Sequence, residues 1–379
     1  MTIKITKNKS DIMGILRTFA LGGIHPAENK LSSNAPIETL AVPKQAIVPL
    51  GQNLGAPSKP VVKKGDEVKV GQLLAEAGGF ISTNIHSPVS GKVFRIDNAI
   101  DGSGYKRPCI IINTVGDVWD ESIDKSTDII TEITHSSKEI IEKVKNAGIV
   151  GLGGATFPTY VKLMPPPGKT AEFLIINGVE CEPYLTSDHR MMLEKGQEII
   201  IGTRILMKAL NVKKAFIGIE NNKPDAIRHL SELAKAYDGI EIQSLKVQYP
   251  QGGEKQLIKA SVNREVPSGK LPIEVGCVVQ NVGTAYAVYE AVQKNKPLFE
   301  RVVTVTGKGI KKPSNFLARI GTPISELIEA AEGLPENTGK IIGGGPMMGK
   351  AITSLEIPVV KGSSGILLME KEESSRSVE

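Results

Sequence analysis

The sequence predicts a multidomain α/β protein, and three features of the 379-residue chain lead to that prediction. Short apolar segments separated by Gly and Pro turns fill residues 39 to about 115, a pattern typical of an all-β unit. From residue 137 to about 297, apolar segments of strand length alternate with helical segments, which favours a mostly parallel sheet covered by helices. The length itself exceeds one average core and indicates about two to four domains.

Composition and charge describe an ordinary globular protein of mildly basic character. Hydrophobic residues make up 40% of the chain, charged residues make up 23%, and the net charge is +5. The lysines are spread along the sequence, which favours solvated faces over nucleic-acid binding. No stretch of about 18 uncharged apolar residues occurs, so any association with a membrane is predicted to be peripheral.

The cysteines and histidines predict neither a disulfide framework nor a metal site. Cys109, Cys181 and Cys277 are few, odd in number and far apart, which suits a reducing compartment. The N-terminus also lacks the apolar segment of a secretory signal. An iron–sulfur cluster needs four thiolates, and the five histidines show no ligand spacing. We therefore expect no metal among these residues.

The β-rich unit contains two halves with similar turns. Residues 60–76 are built around a Gly-Asp turn, and residues 85–93 around a Ser-Pro-x-x-Gly turn. These halves resemble the lipoyl/biotinyl barrel-sandwich fold, in which each half supplies strands around such turns. A carrier of that fold bears a modified lysine at the hairpin tip between the halves, but the tip here, residues 78–84, has none. We predict a compact β-sandwich that acts as a docking module and not as a swinging arm.

The most informative segment is a glycine loop, residues 151–159. Gly151, Gly153 and Gly154 leave the backbone uncovered by Cβ atoms, and Pro158 then favours the first turn of a helix. Bare N–H groups at a helix N-terminus form a site for phosphate or another anion. The loop therefore predicts an anion site, although a packing loop between two helices remains an equal alternative when the loop is taken alone.

The flanks of this loop add two expectations. Lys162 lies about one helical turn beyond the loop and is a candidate counter-charge for the anion. Before the loop, residues 137–147 form an amphipathic pattern that ends at Gly148, which predicts a helix with a glycine C-cap. A dinucleotide fingerprint has a strand at that place, so the loop is a different motif.

Three further loops place polar residues near the C-terminal ends of apolar segments. They are Asn177–Glu182, Tyr249–Glu254 and Gln280–Thr284. Ligands of open α/β sheets bind at the carboxyl ends of the strands. We therefore expect these three loops and the glycine loop to converge on one cleft, although more than a hundred residues separate the first from the last.

The order and content of the four loops resemble the NADH- and FMN-binding flavoprotein subunit of respiratory complex I. They resemble the RnfC subunit of the Rnf electron-transport complex more closely still, and this resemblance covers almost the whole chain. The N-terminal Gly-Gly-Ile-His-Pro stretch, residues 22–26, also occurs near the start of RnfC. Residues 301–349, with a strand, a short helix and a glycine turn, look like the ubiquitin-like β-grasp module called SLBB.

The resemblance implies that FMN and NAD bind in the central unit. The implied cofactor-binding residues are Gly151, Gly153, Gly154, Phe157, Lys162, Asn177, Glu180, Glu182, Tyr249, Gly252, Glu254, Gln280, Asn281 and Thr284. Within this set, Glu182 and Glu254 would lie towards the nicotinamide nucleotide, and Phe157 would stack on its base. No general acid or base is implied, since hydride passes directly from nicotinamide C4 to flavin N5.

The resemblance also implies partners and a location. The partners would be the other subunits of a membrane electron-transport complex, ferredoxin through that complex, and NADH. Iron–sulfur clusters are implied only in a ferredoxin-like domain that would follow Glu379. The location would be peripheral, on the cytoplasmic side of the plasma membrane, with electron flow coupled to the movement of sodium ions or protons.

Departures from the complex I pattern leave alternatives open. Leu152 stands where that loop carries arginine, Val179 where it carries aspartate, and Cys181 where it carries serine. The change at Val179 predicts weaker flavin binding, and Cys181 is expected to fill space and not to be redox-active. Each acidic loop residue has the alternative of a helix N-cap or an ion pair. For the whole chain, the alternative is a flavin-free scaffold or quinone-site subunit, like the A subunit of the sodium-pumping NADH:quinone oxidoreductase.

The predicted boundaries follow from these patterns. We predict an N-terminal arm, a barrel-sandwich domain, a central FMN- and NADH-binding domain, a β-grasp domain and a mobile tail, at residues 1–38, 39–116, 117–298, 299–366 and 367–379. Within the β-grasp domain, the glycines at 343–345 are expected to form a packing turn. Its first strand, predicted at 301–306, should not join the parallel sheet of the central domain.

Overall fold

The computed structural model describes residues 16–19 and 22–374. The first part contains the short strands that the turn pattern predicts. They are β1 (Ile37–Thr39), β2 (Gln45–Pro49), β3 (Lys59–Pro60), β4 (Glu67–Val68), β5 (Leu73–Glu76), β6 (Ile85–His86), β7 (Gly91–Ile100) and β8 (Lys106–Thr114). One antiparallel sheet has the order β2-β8-β7-β4, and a second has the order β3-β5-β6.

The two sheets share one core, so the predicted β-sandwich is confirmed. Leu74 and Ile85, from the two halves of the repeat, are buried in this core. Residues 68–76 contain strands β4 and β5 and no helix. The hairpin tip between the halves closes where the N–H of Gly78 donates to the hydroxyl of Ser82 at 2.9 Å.

The central unit alternates helices with parallel strands. Its elements are α1 (Ser137–Asn146), α2 (Thr159–Lys162), β9 (Phe173–Asn177), α3 (Ser187–Glu194), α4 (Gly196–Leu210), β10 (Lys214–Glu220), α5 (Pro224–Ala234), β11 (Ile240–Leu245), α6 (Glu254–Val262), a 3-10 turn (Pro272–Val275), β12 (Cys277–Asn281) and α7 (Val282–Gln293). The sheet has the order β11-β10-β9-β12, and every pairing in it is parallel.

Strand β9 shows why this sheet lies between two layers of helices. Leu174 and Ile176 are buried in the cluster that contains α1, α4 and α7, whereas Ile175 is buried in the cluster that contains α6. Successive side chains of a strand point to opposite faces, so an apolar run without alternation is buried on both sides.

Helix α1 sets the start of the glycine loop. A capping box joins Ser136 and Glu139 at its N-terminus, and Gly148, with φ +67°, follows its C-terminus as predicted. A Cβ at Gly148 would also come within 2.2 Å of the carbonyl of Asn84 in the barrel-sandwich hairpin. Glycine is therefore required at this position for two reasons. Its backbone is left-handed, and a side chain would collide with the neighbouring unit.

The third unit forms a separate mixed sheet. Its elements are β13 (Glu300–Thr306), β14 (Ser314–Arg319), α8 (Ile324–Ala330), β15 (Thr338–Gly343), β16 (Lys350–Ala351), β17 (Gly365–Glu370) and α9 (Lys371–Ser374). The sheet order is β1-β14-β13-β17-β15-β16, so β13 pairs with β14 and β17 and not with the parallel sheet, as predicted. Strand β1, at the predicted arm boundary, pairs with β14 in this sheet.

Three expectations about elements need correction. Residues 367–370, assigned to a mobile tail, continue β17, because they pair in antiparallel fashion with β15, and residues 371–374 form α9. The helical pattern of the central unit predicts a helix from Pro224 to Tyr237, but the helix ends at Ala234, where the chain tightens into i→i+3 turns. The apolar pattern that follows predicts a strand from Ile240 to Val247, but the strand ends at Leu245. The remaining domain boundaries stay predictions.

Lys361 joins the three units at one buried point. Its ammonium donates to the carbonyls of Asn84 and Gly148, each at 2.7 Å, from the β-sandwich and the central unit. The side chain is fully buried, and burial lowers the pKa of Lys361 to about 7. The units therefore pack around a shared polar contact.

Candidate functional site

The glycine loop is closed at its base and exposed in its middle. The N–H of Gly151 donates to the carbonyl of Phe157 at 2.9 Å, and the N–H of Thr159 donates to Ile149 at 3.0 Å. Residues 153–155 between these contacts are exposed, and their N–H groups donate to no acceptor in the described part of the chain. Successive free N–H groups form a concave anion site. The loop thus has the geometry that its glycines predict.

Leu152 fixes the orientation of the exposed segment. Its N–H donates to the hydroxyl of Thr284 at 2.9 Å, and its carbonyl lies 3.5 Å from a guanidinium nitrogen of Arg301. Thr284 belongs to the first turn of α7, so the glycine loop is held against the N-terminus of that helix.

The other predicted loops meet at the same edge. Asn177, at the end of β9, donates through its amide to the carbonyl of Gly252 at 2.9 Å. The amide of Asn281, at the end of β12, lies 3.4 Å from the carbonyl of Asn177. A Cβ at Gly153 would lie 3.5 Å from the Cβ of Asn281. The predicted convergence of the four loops is therefore confirmed.

The glycine loop enters a helix as predicted, but this helix is shorter than the prediction of a helix dipole at the anion assumes. Helix α2, which follows the loop, has only 4 residues, because the prolines at 165–167 stop it. Helix α7 has 12 residues and begins at the same edge, where Asn281 caps it by accepting from the N–H of Gly283 at 2.8 Å. The partial positive charge of α7 lies beside the glycine loop.

Lys162 and Glu254 neutralise each other. The Lys162 ammonium lies 2.7 Å from the Glu254 carboxylate and 3.0 Å from the carbonyl of Val279. Glu254 is the first residue of α6, where a carboxylate is favoured by the helix dipole. These contacts match the ion-pair alternative for Glu254. The roles of both residues towards a nucleotide stay predictions.

Glu180 caps α3. Its carboxylate accepts from the backbone N–H groups of Asp188 at 2.7 Å and His189 at 3.2 Å. The residue itself has a left-handed backbone, with φ +47°, which is unusual for a side chain other than Gly, Asn or Asp. The helix-cap alternative therefore describes the contacts of Glu180 in this structure, and a flavin contact stays a prediction.

Glu182 connects the central unit to the glycine turn of the third unit. Its carboxylate accepts from the N–H groups of Met347 at 3.1 Å and Met348 at 2.7 Å. A Cβ at Gly345 would come within 2.2 Å of the same carboxylate, so this turn requires glycine. The turn at 343–345 is expected to be a packing turn, and Glu182 is the residue against which it packs. The nucleotide role of Glu182 stays a prediction.

Replacing Glu182 with alanine is expected to loosen this connection and lower the free energy of unfolding by about 1–2 kcal/mol, since two N–H groups lose a charged acceptor. Limited proteolysis should then cut within 343–349 faster than in the unchanged protein. Glu182→Gln keeps one acceptor oxygen and should lose less than half as much stability. Equal stability and equal protection in the alanine variant would contradict the connection.

The remaining predicted residues differ in how their side chains are used. The amides of Asn177 and Asn281 are used to tie loops together, as described above. Gln280 differs, because its buried amide nitrogen has no partner among the described residues. Phe157 and Tyr249 are half-buried at the loops. Gln280 is therefore a candidate to donate to a ligand from within the sheet edge.

Asp188 and Arg301 were missed by the sequence analysis. Asp188 Oδ2 accepts from the amide of Asn281 at 2.7 Å, and burial, with the Glu180 carboxylate nearby, raises the pKa of Asp188 to about 7. Arg301 is buried beneath the glycine loop and comes from the third unit. Neither residue belongs to a motif. An arginine within an apolar, buried strand pattern was the available signal for Arg301.

The N-terminal arm also contributes to the site. The ammonium of Lys30 donates to the carbonyls of Glu180 at 2.8 Å, Glu182 at 2.9 Å and Leu185 at 2.7 Å, so it holds the loop after β9. Burial and the charge of Lys223 lower the pKa of Lys30 to about 8. The arm predicted only as a turn-rich segment therefore positions a loop of the site.

Between the arm and the sheet edge lies a cavity of about 260 Å³. Its wall is lined by the arm, the loop after β9 and the ends of β10 and β11, through His25, Pro26, Glu28, Lys30, Cys181, Pro183, Glu220, Asn222, Val247, Gln248 and Tyr249. Cys181 is a free thiol, and burial raises its pKa to about 11. A thiol with that pKa is protonated at neutral pH, which agrees with a space-filling role.

Comparison with known proteins agrees with this architecture. Residues 18–117 match the RnfC barrel sandwich hybrid domain, residues 144–290 match the Nuo51 FMN-binding domain, and residues 302–351 match the SLBB domain. The RnfC-type subunit of the proton-translocating ferredoxin:NAD(+) oxidoreductase complex of Clostridium ljungdahlii is 48% identical, over 95% of this chain and 78% of that protein. This chain belongs to the RnfC family.

Two further relatives agree. The corresponding subunit of the Na(+)-translocating ferredoxin:NAD(+) oxidoreductase complex of Acetobacterium woodii is 44% identical over 93% of this chain and 79% of that protein. The corresponding subunit of the ion-translocating oxidoreductase complex of Rhodobacter capsulatus is 42% identical over 95% of this chain and 70% of that protein. The resemblance to RnfC and the predicted fold class are thus confirmed.

A solved structure shows the same fold at low identity. A chain of an NAD+-reducing NiFe-hydrogenase superposes with a TM-score of 0.52 and 20% identity, over 63% of this chain and 47% of that one. No helix within residues 16–19 and 22–374 is long and apolar enough to cross a membrane. In the same residues, no group of three His, Cys, Asp or Glu side chains is placed to hold a metal ion.

Proposed function

We propose that this member of the RnfC family binds FMN at the glycine loop and passes hydride between NADH and that flavin. The observation that carries the proposal is the row of free N–H groups at residues 153–155, exposed beside the N-terminus of α7. Phosphate is the chemical group that such an arrangement favours. The match of residues 144–290 to an FMN-binding domain supports the choice of flavin.

The residues of the cleft fit a flavin mononucleotide. The loop N–H groups would hold the phosphate, since no Cβ covers Gly153 or Gly154. The unpartnered amide nitrogen of Gln280 would donate to a polar edge of the ring or to the ribityl chain. Gly252 lets its own loop pack closely, because a Cβ there would meet Cys181 Sγ at 3.2 Å and Val179 Cβ at 3.4 Å.

When bound, FMN supplies the hydride acceptor at its N5 atom. The protein then has to orient the two rings and exclude water, and no side chain has to move a proton. Tyr249, Phe157 and Glu254 lie on the loops that would face the nicotinamide nucleotide. Their proposed task is to position the dinucleotide against the flavin.

The flavin-free scaffold alternative has no support in these observations. A scaffold needs neither free N–H groups at a glycine loop nor a buried amide without a partner. The relatives named above belong to ferredoxin:NAD(+) or ion-translocating oxidoreductase complexes. We therefore propose that this chain is an NAD-dependent flavin oxidoreductase subunit of such a complex, coupled to ion translocation.

The partners and location follow from the same proposal. The chain would pass electrons to iron–sulfur clusters outside the described residues, and through them to or from ferredoxin. It would contact the other subunits of the complex from a peripheral position on the cytoplasmic side of the membrane.

Mixing the purified protein with FMN tests the proposal directly. We expect a perturbed visible flavin spectrum that bleaches when NADH is added without oxygen. A flavin spectrum identical to that of free FMN, at protein concentrations of about 0.1 mM, would exclude even weak binding and overturn the proposal.

A further inference from the structure

Arg301 brings a positive charge beneath the glycine loop from a different structural unit. It is the second residue of β13, in the third unit, and its side chain is buried. The hydrogen bonds that its guanidinium donates among the described residues go to the backbone carbonyls of Val302, Lys361 and Leu152. These acceptors are uncharged, so they satisfy its N–H groups without cancelling its charge.

The nearby acid cancels this charge only in part. The carboxylate whose charge acts on Arg301 is Asp188, which is hydrogen-bonded to Asn281. Burial raises the pKa of Asp188, and its carboxylate is hydrogen-bonded to Asn281 and not to Arg301, so the guanidinium retains a positive field at the loop. Lys162, by contrast, is paired with Glu254 at 2.7 Å. The buried arginine is therefore better placed than Lys162 to favour an anion.

Backbone geometry connects Arg301 to the free N–H groups. In a trans peptide the C=O and the following N–H point in opposite directions. The Leu152 carbonyl points to the guanidinium, so the N–H of Gly153 points away from it, towards the exposed side of the loop. Thr284 holds the N–H of Leu152, which belongs to the preceding peptide, so Leu152 is fixed through both its N–H and its C=O.

We propose that Arg301 is a positioning residue for the phosphate group of a bound flavin mononucleotide. It orients the peptide between Leu152 and Gly153 and adds a buried positive charge beneath the phosphate. The inference rests on the proposed function, and it adds that the third unit, through β13, sets the preference of the site for a phosphorylated flavin.

The test compares FMN with riboflavin, which has the same ring and ribityl chain but no phosphate. Fluorescence titration measures the Kd of each for the full chain, for Arg301→Gln and for Arg301→Lys. Arg301→Gln is expected to weaken FMN about tenfold and riboflavin less than about threefold, because only FMN carries the charge that the guanidinium attracts. Arg301→Lys retains a cation and should keep the preference for FMN within about threefold of the unchanged protein.

Arg319→Gln is the matched control. Arg319 is also a buried arginine of the third unit, but its guanidinium is paired with Glu300 at 3.0 Å and donates to Pro88 at 2.8 Å. Its replacement should leave the ratio of the FMN and riboflavin Kd values unchanged. Near-ultraviolet circular dichroism checks that each variant is folded.

The outcomes separate this inference from the proposed function. If the unchanged protein binds neither flavin, the proposed function fails. If it binds FMN and Arg301→Gln weakens both flavins equally, or neither, Arg301 has only a structural role and the inference is wrong. Should Arg301→Gln fail to fold, Arg301→Lys still decides, since loss of the FMN preference with the charge retained contradicts the electrostatic role.

Discussion

Gly153→Val is expected to abolish measurable FMN binding while leaving the fold intact. A Cβ at Gly153 would make ordinary contacts, the nearest at 3.5 Å to Asn281, and the backbone lies outside the left-handed region. The added methyl groups would instead cover the exposed N–H groups where the phosphate has to approach. Losing two charge-assisted hydrogen bonds should weaken FMN by about a hundredfold or more.

Gly151→Val is the matched control for this prediction. The resemblance implies a cofactor contact at Gly151, but the structure uses its N–H within the loop. A Cβ there would also have room, with the nearest atom at 3.7 Å, but the N–H of Gly151 already donates to Phe157. We expect its FMN affinity to stay within about threefold of the unchanged protein. Flavin fluorescence measures the affinity. If the Gly153 variant binds FMN normally, the flavin does not bind at the glycine loop, and the scaffold alternative becomes the better interpretation.

The fold was largely predictable because local signals agree with each other. The helical pattern of residues 282–293 predicts a helix, and α7 has those bounds, since an Asn cap precedes it and a polar stretch follows. Strand β9 was recognisable because an unbroken apolar run is typical of a parallel strand buried on both faces. The strand at 367–370 was missed because its last residues, Met369 and Glu370, adjoin a charged tail that hides the pattern.

The position of the site was predictable, but the roles of individual residues were not. Parallel strands end at one edge, so the three loops that follow β9, β11 and β12 had to meet there. The glycine loop follows helix α1 and joins them through contacts with Thr284 and Asn281. A polar side chain in such a loop can accept a hydrogen bond from a neighbouring backbone N–H as readily as it can bind a ligand. Glu180 and Asn281 accept such bonds. Arg301 lies about 150 residues from the loop that it contacts, and no local rule relates two segments so far apart.

The junction between the central and third units shows a second limit of sequence reasoning. Glu290, Lys296 and Glu300 have the composition of a solvated surface, yet their side chains are only 16%, 13% and 9% exposed. The Lys296 ammonium lies 2.5 Å from Glu290 and 2.6 Å from Glu300. Burial by itself lowers the pKa of Lys296, but the two carboxylates outweigh that effect and raise it.

Lys296→Met is therefore expected to destabilise the junction by about 3–5 kcal/mol, since it leaves the buried carboxylate of Glu290 without its cation, while Glu300 keeps Arg319 at 3.0 Å. Lys235→Met is the matched control, because Lys235 makes an equally short contact of 2.5 Å with Glu232 while both side chains are about 70% exposed. The loss of unfolding free energy in Lys235→Met should stay below about 0.5 kcal/mol.

Urea unfolding followed by tryptophan fluorescence measures the difference in stability between the two variants, since Trp119 lies against Phe299 and close to Lys296. Equal unfolding midpoints for the two variants would show that the ion cluster does not hold the junction, and that the apolar contacts around Phe299 do so alone.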